Sequence, residues 1–168
     1  FMSPAWSARV CVGGLVLLGC AAILPLLAGP LPGRIWARYE HEMQDPVEDP
    51  PDAGRKGEFN LGRLRYRSPL DGRAPYYRWG IDANKGDRTF ISILSRLTRI
   101  DVAPVEHIVD VDSDDVFDLP WLFAVSAGDW VWSPTEAERL RKYFDRGGFL
   151  MVDDFHNQRE WEIFMTGI

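Results

Sequence analysis

The chain has 168 residues, 46% of them apolar and 12% aromatic, which is enough for one buried core but not two. Its formal net charge is −6 at neutral pH and residues 1–28 hold only Arg9, so the remainder is net acidic, which argues against non-specific binding of nucleic acid. Both cysteines, Cys11 and Cys20, lie in the apolar N-terminal stretch, which excludes a disulfide, a zinc thiolate or a cysteine nucleophile from everything after it.

Val10 to Ala28 runs nineteen residues without a charge, close to the roughly 20 that a helix needs to cross a hydrocarbon core. It predicts an N-terminal transmembrane anchor over residues 1–28. A cleaved signal peptide competes with that reading, but small residues are poorly placed for cleavage before Gly29. Leu17-Leu18-Gly19-Cys20 loosely resembles a lipoprotein cleavage box, yet the residues after Cys20 stay apolar. Basic residues flank the span on both sides, Arg9 before it and Arg34 and Arg38 after it, so the short N-terminal tail decides for a domain outside the cytoplasm. Residues 29–57 interleave Pro30, Pro32, Pro46, Pro50 and Pro51 with Glu40, Glu42, Asp45, Glu48, Asp49 and Asp52. Few apolar groups offset the entropy of ordering there, which predicts a solvated linker, with a globular domain over 58–168.

Phe59 to Arg67 has strand character, with Arg63, Arg65 and Arg67 on one face and Leu64 and Tyr66 on the other. The arginine face suits either an anionic ligand or the solvated rim of an edge strand. Ser68 to Gly86 reads as a long loop whose Tyr76, Tyr77 and Trp79 serve a site or pin the loop to the core. Asp87 is placed to cap a helix with a stripe of Phe90, Ile93, Leu94 and Leu97 packed on a sheet. Ile108–Val111 and Leu119–Ser126 read as further strands. The acids from Glu106 to Asp118 match no calcium loop and read as a solvated connection. Ser133-Pro134-Thr135-Glu136 is a capping box with proline at the first helical position, opening a helix through Ala137, Leu140 and Phe144 to a stop at Gly147. Strand, helix and strand in that order make parallel pairing the default.

The helix leads into Arg146-Gly147-Gly148-Phe149-Leu150-Met151-Val152-Asp153-Asp154-Phe155-His156. The unbroken run Phe149–Val152 fits a strand covered on both faces, and it ends abruptly in two carboxylates and a histidine. Ligands of open α/β sheets sit outside the carboxyl ends of the strands, so Asp153, Asp154 and His156 are the candidate site. No cofactor is expected, although these residues suit a divalent metal or a division of acid and base roles. The competing reading makes the two aspartates caps of a following helix over 157–165 and His156 a turn residue.

This closing motif with Glu160-Trp161, together with Arg63-Leu64-Arg65-Tyr66, Leu94-Ser95-Arg96-Leu97-Thr98 and Phe117 to Phe123, resembles the bacterial domain of unknown function 4159, from about Glu58 onward. That family is similar to the class I glutamine amidotransferase-like superfamily. The resemblance implies an α/β, flavodoxin-like parallel sheet with flanking helices, preceded here by the transmembrane helix. It also implies a domain longer at its C-terminus than this chain, and a place in the bacterial inner membrane with the soluble part periplasmic. The superfamily's nucleophilic cysteine has no counterpart at Asp153-Asp154-Phe155-His156, which removes the glutaminase reaction. The resulting expectation is a non-catalytic binding domain with ligand contacts at Arg63, Arg65, Asp153, Asp154 and His156, a membrane attachment and an envelope protein as partner. The alternative is a metal-assisted hydrolase built on Asp153, Asp154 and His156.

Overall fold

The computed structural model describes residues 34–168, so the expected anchor over 1–28 and the first residues of the expected linker lie outside the described residues. Among the described residues no helix is long and apolar enough to cross a membrane. The elements in chain order are β1 (Leu61–Arg65), α1 (Lys85–Leu97), β2 (His107–Asp110), β3 (Trp121–Val125), α2 (Pro134–Asp145), β4 (Phe149–Asp153) and α3 (Gln158–Met165). Short 3-10 turns at Ala37–Glu42, Arg78–Gly80, Asp114–Asp118 and Ala127–Asp129 punctuate the connections. All four strands form one parallel sheet in the order β2-β1-β3-β4, so the fold is α/β as expected.

The β3–α2–β4 unit follows its local signals closely. Ser133 Oγ accepts from the Glu136 N–H at 3.2 Å while Glu136 Oε2 accepts from the Ser133 N–H at 2.8 Å, closing the predicted capping box. Gly147 ends α2 at φ 87°, a conformation that costs least without a Cβ. Gly148 lies so close under the Tyr143 ring that an added Cβ would fall 2.3 Å from it. Two bonds between Tyr143 and Phe149 then fasten the helix to the start of β4: the hydroxyl donates to the Phe149 carbonyl at 3.0 Å and accepts from its N–H at 3.1 Å.

Side chains alternate across the sheet. Leu64, Leu122 and Ala124 enter the main core with Leu140 and Tyr143 of α2, Trp130 and Phe164. The opposite face carries Leu61 and Arg63 of β1 beside Trp121 and Phe123 of β3, with Phe149 and Met151 of β4 next in register. Here α1 forms a smaller cluster in which Phe90 and Leu94 pack against Leu61, Ile91 and Val102.

Several expectations are corrected by this arrangement. The segment expected as a solvated linker is, from residue 34 to residue 57, a strap fastened to the sheet end: Met43 joins the main core and Glu42 is buried. Backbone bonds from Tyr77 to Glu42 (2.8 Å) and from Gln44 to Gly80 (2.9 Å) hold it in place. The N-cap of α1 is Asn84, and Asp87 sits at the third helical position, returning a bond to the Asn84 N–H at 3.0 Å. The inward face of α1 uses Asp87 and Ile91; Ile93 and Leu97 of the expected stripe are exposed, Leu97 by 78%. β1 is a central strand, not a rim, and β4 is an edge strand with one open face. Of the acids between Glu106 and Asp118, Glu106 is buried against Arg88 and Asp110 pairs with Arg65, so that connection is only partly solvated.

Candidate functional site

The two candidate arginines are already engaged. Arg63 is 1% exposed; its guanidinium donates to Asp87 Oδ1 at 3.2 Å, to the carbonyl of Trp79 at 3.2 Å and to the carbonyl of Ile81, and it lies over the Phe123 ring. Burial pushes the Asp87 carboxyl above its ordinary range, against the pull of Arg63. Arg65 donates to both carboxylate oxygens of Glu42 at 2.8 Å and to Asp110 at 2.9 Å. Glu42 also accepts the Trp79 indole N–H at 2.7 Å, which pins the long loop after β1 to the strap. All three nitrogens of each guanidinium thus donate to acceptors inside the fold, and Arg63 is in addition closed off from solvent.

Asp153, Asp154 and His156 follow one another at the exit of β4 without converging. Asp153 Oδ1 accepts from the Asp154 N–H at 2.9 Å, and Asp154 stands at φ 63°. His156 turns to Glu160, whose Oε2 accepts from the His156 N–H at 2.8 Å and lies 3.1 Å from Nδ1. These contacts, the backbone N–H first and the ring second, hold the Glu160 carboxyl below its ordinary range. The cap of α3 is neither aspartate: Asn157 Oδ1 accepts from the Glu160 N–H at 3.0 Å. Among the described residues no three His, Cys, Asp or Glu side chains are grouped to hold a metal ion.

A second strand exit went unnoticed in the sequence. Ser126 ends β3 in the left-handed region, at φ 52° and ψ 34°, with its N–H donating to the Asp153 carbonyl at 3.0 Å. Tyr66 Oη donates to the carbonyls of Val125 and Ser126 at 2.6 and 2.8 Å, bracing the same bend. The Ser126 hydroxyl is buried and has no hydrogen-bond partner among the described residues. The signal was the small residues around it, in Ala124-Val125-Ser126-Ala127-Gly128: at Gly128 an added Cβ would fall 2.2 Å from Glu160.

An apolar concavity lies elsewhere, on the face of β3 and β4 that carries Trp121, Phe123 and Met151. A cleft of about 230 Å³ opens between α1 and the sheet, walled by Leu61, Phe90, Trp121, Phe123 and Met151, with Asp82, Gly86 and Asp87 at the end nearest the strand exits. Trp121 is its hinge point, edge-on to Phe149 at 4.7 Å and tilted against Phe90 at 5.5 Å. The apolar surface continues outward through Phe149 and Met151, 52% and 40% exposed. Only Asp82 brings a carboxylate to this cleft without an internal hydrogen bond or ion pair among the described residues, since Asp87 is taken by Arg63 and Asn84. An apolar body with a cationic or hydrogen-bond-donating end is what such a lining accommodates.

The chain has no match among curated protein sequences. A family profile does match, over residues 60–167, from the start of β1 to the turn after α3. That span contains the whole sheet, the cleft and both strained strand exits, and the chain belongs to the family described as Domain of unknown function (DUF4159).

Proposed function

We propose that this is a non-catalytic binding domain of the bacterial cell envelope, tethered to the inner membrane through residues 1–28 and displayed on the periplasmic side. The observation that carries the binding reading is the aromatic cleft beside Trp121, Phe123 and Met151, left uncovered in a domain that elsewhere partners its buried charges. An apolar patch of this kind on a folded domain marks a surface for a ligand or another protein. The strand order β2-β1-β3-β4 supports a flavodoxin-like arrangement of the amidotransferase-like type, in which the sheet's reversal of direction falls between β1 and β3. Engagement of Arg63 and Arg65 within the fold moves the expected contact surface from the arginines to the cleft. A metal-assisted hydrolase at Asp153, Asp154 and His156 is the less favoured reading, since among the described residues these side chains are not grouped as a set of metal ligands.

Photo-crosslinking in cells tests the reading on the full chain. A benzophenone amino acid replacing Met151 should give a defined adduct, while the same group replacing Glu138, on the exposed side of α2, should give none; absence of any adduct at position 151 would remove the cleft as the binding surface. An alkaline phosphatase fusion after Ile168 tests the location, since it is active only when exported.

A further inference from the structure

We infer that the strap and α1 together form a second binding site, for a primary ammonium carried on an unbranched alkyl chain. The site is separate from the aromatic cleft and does not depend on it. It opens as a pocket of about 340 Å³ between residues 48–55 of the strap, the flank of α1 that carries Arg88, Ser92 and Ser95, and the turn before β2. Its lining residues all lie between 48 and 104, so none belongs to β3, β4 or α3.

The apolar part of the lining is stiff. Ile91 and Val102, 3% and 2% exposed, belong to the cluster beneath α1, and Pro50 and Pro104 join them at the pocket. Two prolines and two β-branched side chains have little freedom to lose on contact, which suits the packing of methylene groups. The polar part is unpaired. On the same helix, Thr89 and Thr98 return their hydroxyls to the carbonyls of Lys85 and Leu94, at 2.9 and 2.7 Å. Ser92 and Ser95, one turn apart, make no such bond and have no hydrogen-bond partner among the described residues.

Charge sets the remaining chemistry. Both cations at the pocket are committed: Arg88 donates to Glu106 at 3.1 Å, to Asp49 at 2.6 Å and to the carbonyls of Val47 and Glu48. Arg55 donates to Asp101 and to the Val102 carbonyl, both at 2.6 Å, with Asp52 at 3.5 Å. These two guanidiniums therefore face Asp49, Glu106, Asp52 and Asp101, and Glu48 adds a fifth carboxylate with no side-chain partner among the described residues. The local excess is negative, so a cation is favoured. An ammonium has three N–H donors, matching in number the Glu48 carboxylate and the two serine hydroxyls. Because one wall is the strap and the other α1, an occupant also ties the strap more firmly to the domain.

The test uses the full chain in lipid nanodiscs, with empty nanodiscs as blank, and n-butylammonium at constant ionic strength. Saturation-transfer NMR should show saturable binding, each methylene from ethylammonium to butylammonium strengthening it about fourfold. Glu48→Gln should weaken it about fivefold, and Ser95→Lys, which brings an ammonium to the pocket from the helix itself, should abolish it. Both positions are exposed, so neither variant endangers folding. Hydrogen exchange gives a reading tied to the place: the Ala53 and Arg55 amides, bonded to the carbonyls of Pro50 and Asp52, should exchange more slowly at saturation. Nα-acetyl-lysine methylamide separates the two sources of such a group. Binding of this probe as well supports a lysine side chain of a partner as the occupant, and binding of the alkylammonium alone supports a free amine. No saturable binding of either probe would overturn the inference, as would binding that Glu48→Gln and Ser95→Lys leave unchanged. Unchanged exchange at Ala53 and Arg55 at saturation would place the ligand elsewhere and overturn it too. None of these outcomes bears on the crosslink at position 151.

Discussion

The two halves of the sheet solve the same problem in opposite ways. Over β1 and β2 the sheet is covered by α1 and by the strap from residue 34 to residue 57, and the charges brought there are paired: Arg63 with Asp87, Arg65 with Glu42 and Asp110, Arg88 with Glu106 and Asp49. Over β3 and β4 the same face is aromatic and aliphatic, and Phe149 and Met151 stay open to solvent. The charged strand is therefore the buried one and the apolar strand the exposed one. A charge can be buried only where other elements bring partners to it, and the strap does so; an apolar side chain needs only surface removed from water, which a separate molecule can provide as well as the chain itself.

The comparison breaks most visibly if the covered half is cut. Asp87→Ala leaves Arg63 buried without its carboxylate and should cost about 3–5 kcal/mol in urea unfolding, whereas the paired change Arg63→Met with Asp87→Leu should recover most of that loss. A single-variant cost below about 1 kcal/mol would mean that water reaches Arg63 and that this half is less closed than described. Next in size is Glu42→Ala, which removes the acceptor shared by Arg65 and Trp79. About 2–3 kcal/mol is expected, with faster protease cleavage within residues 34–57; unchanged cleavage would show that the strap is held by its apolar contacts alone.

The open half should respond differently. Phe149→Lys should change stability by no more than about 0.5 kcal/mol, because an exposed side chain is replaced, while abolishing the crosslink from position 151. A large destabilisation would place Phe149 in the fold's own core. The smallest expected effect is at the exit of β4. Glu160 has its folded pKa lowered by His156, so its contribution is complete above the ordinary glutamate value of about 4.3 and is lost as pH falls through the lower folded value. NMR of the His156 amide should show that loss on acidification, and Glu160→Gln should remove the titration.

Much of the local structure was legible because its causes are local. The capping box at Ser133 and Glu136, the stop at Gly147 and the parallel β3–α2–β4 unit depend on residues within a turn or two of one another, and each formed as read. Alternation also separated the faces of β1 correctly, yet it could not say what each face meets. Arg63 and Arg65 looked available because nothing nearby in sequence pairs with them; Asp87 and Asp110 lie far along the chain, and Glu42 lies in a segment too acidic and proline-rich to read as folded. The three candidates at the exit of β4 lie apart for a related reason. Adjacent strand-exit residues point in different directions once Asp154 takes a positive φ and His156 turns to Glu160.

The sequence by itself determined the α/β class, the identity of each described strand and long helix, and both termini of α2, because periodicity, caps and glycine stops act over a few residues. Only the tertiary structure decided the strand order, the burial of Arg63, the folding of the strap onto the sheet and the exposure of β4. Those depend on which distant elements arrive to pair a charge or cover an apolar face. A run such as Phe149 to Val152 has the same pattern whether it lies in the middle of a sheet or at its edge.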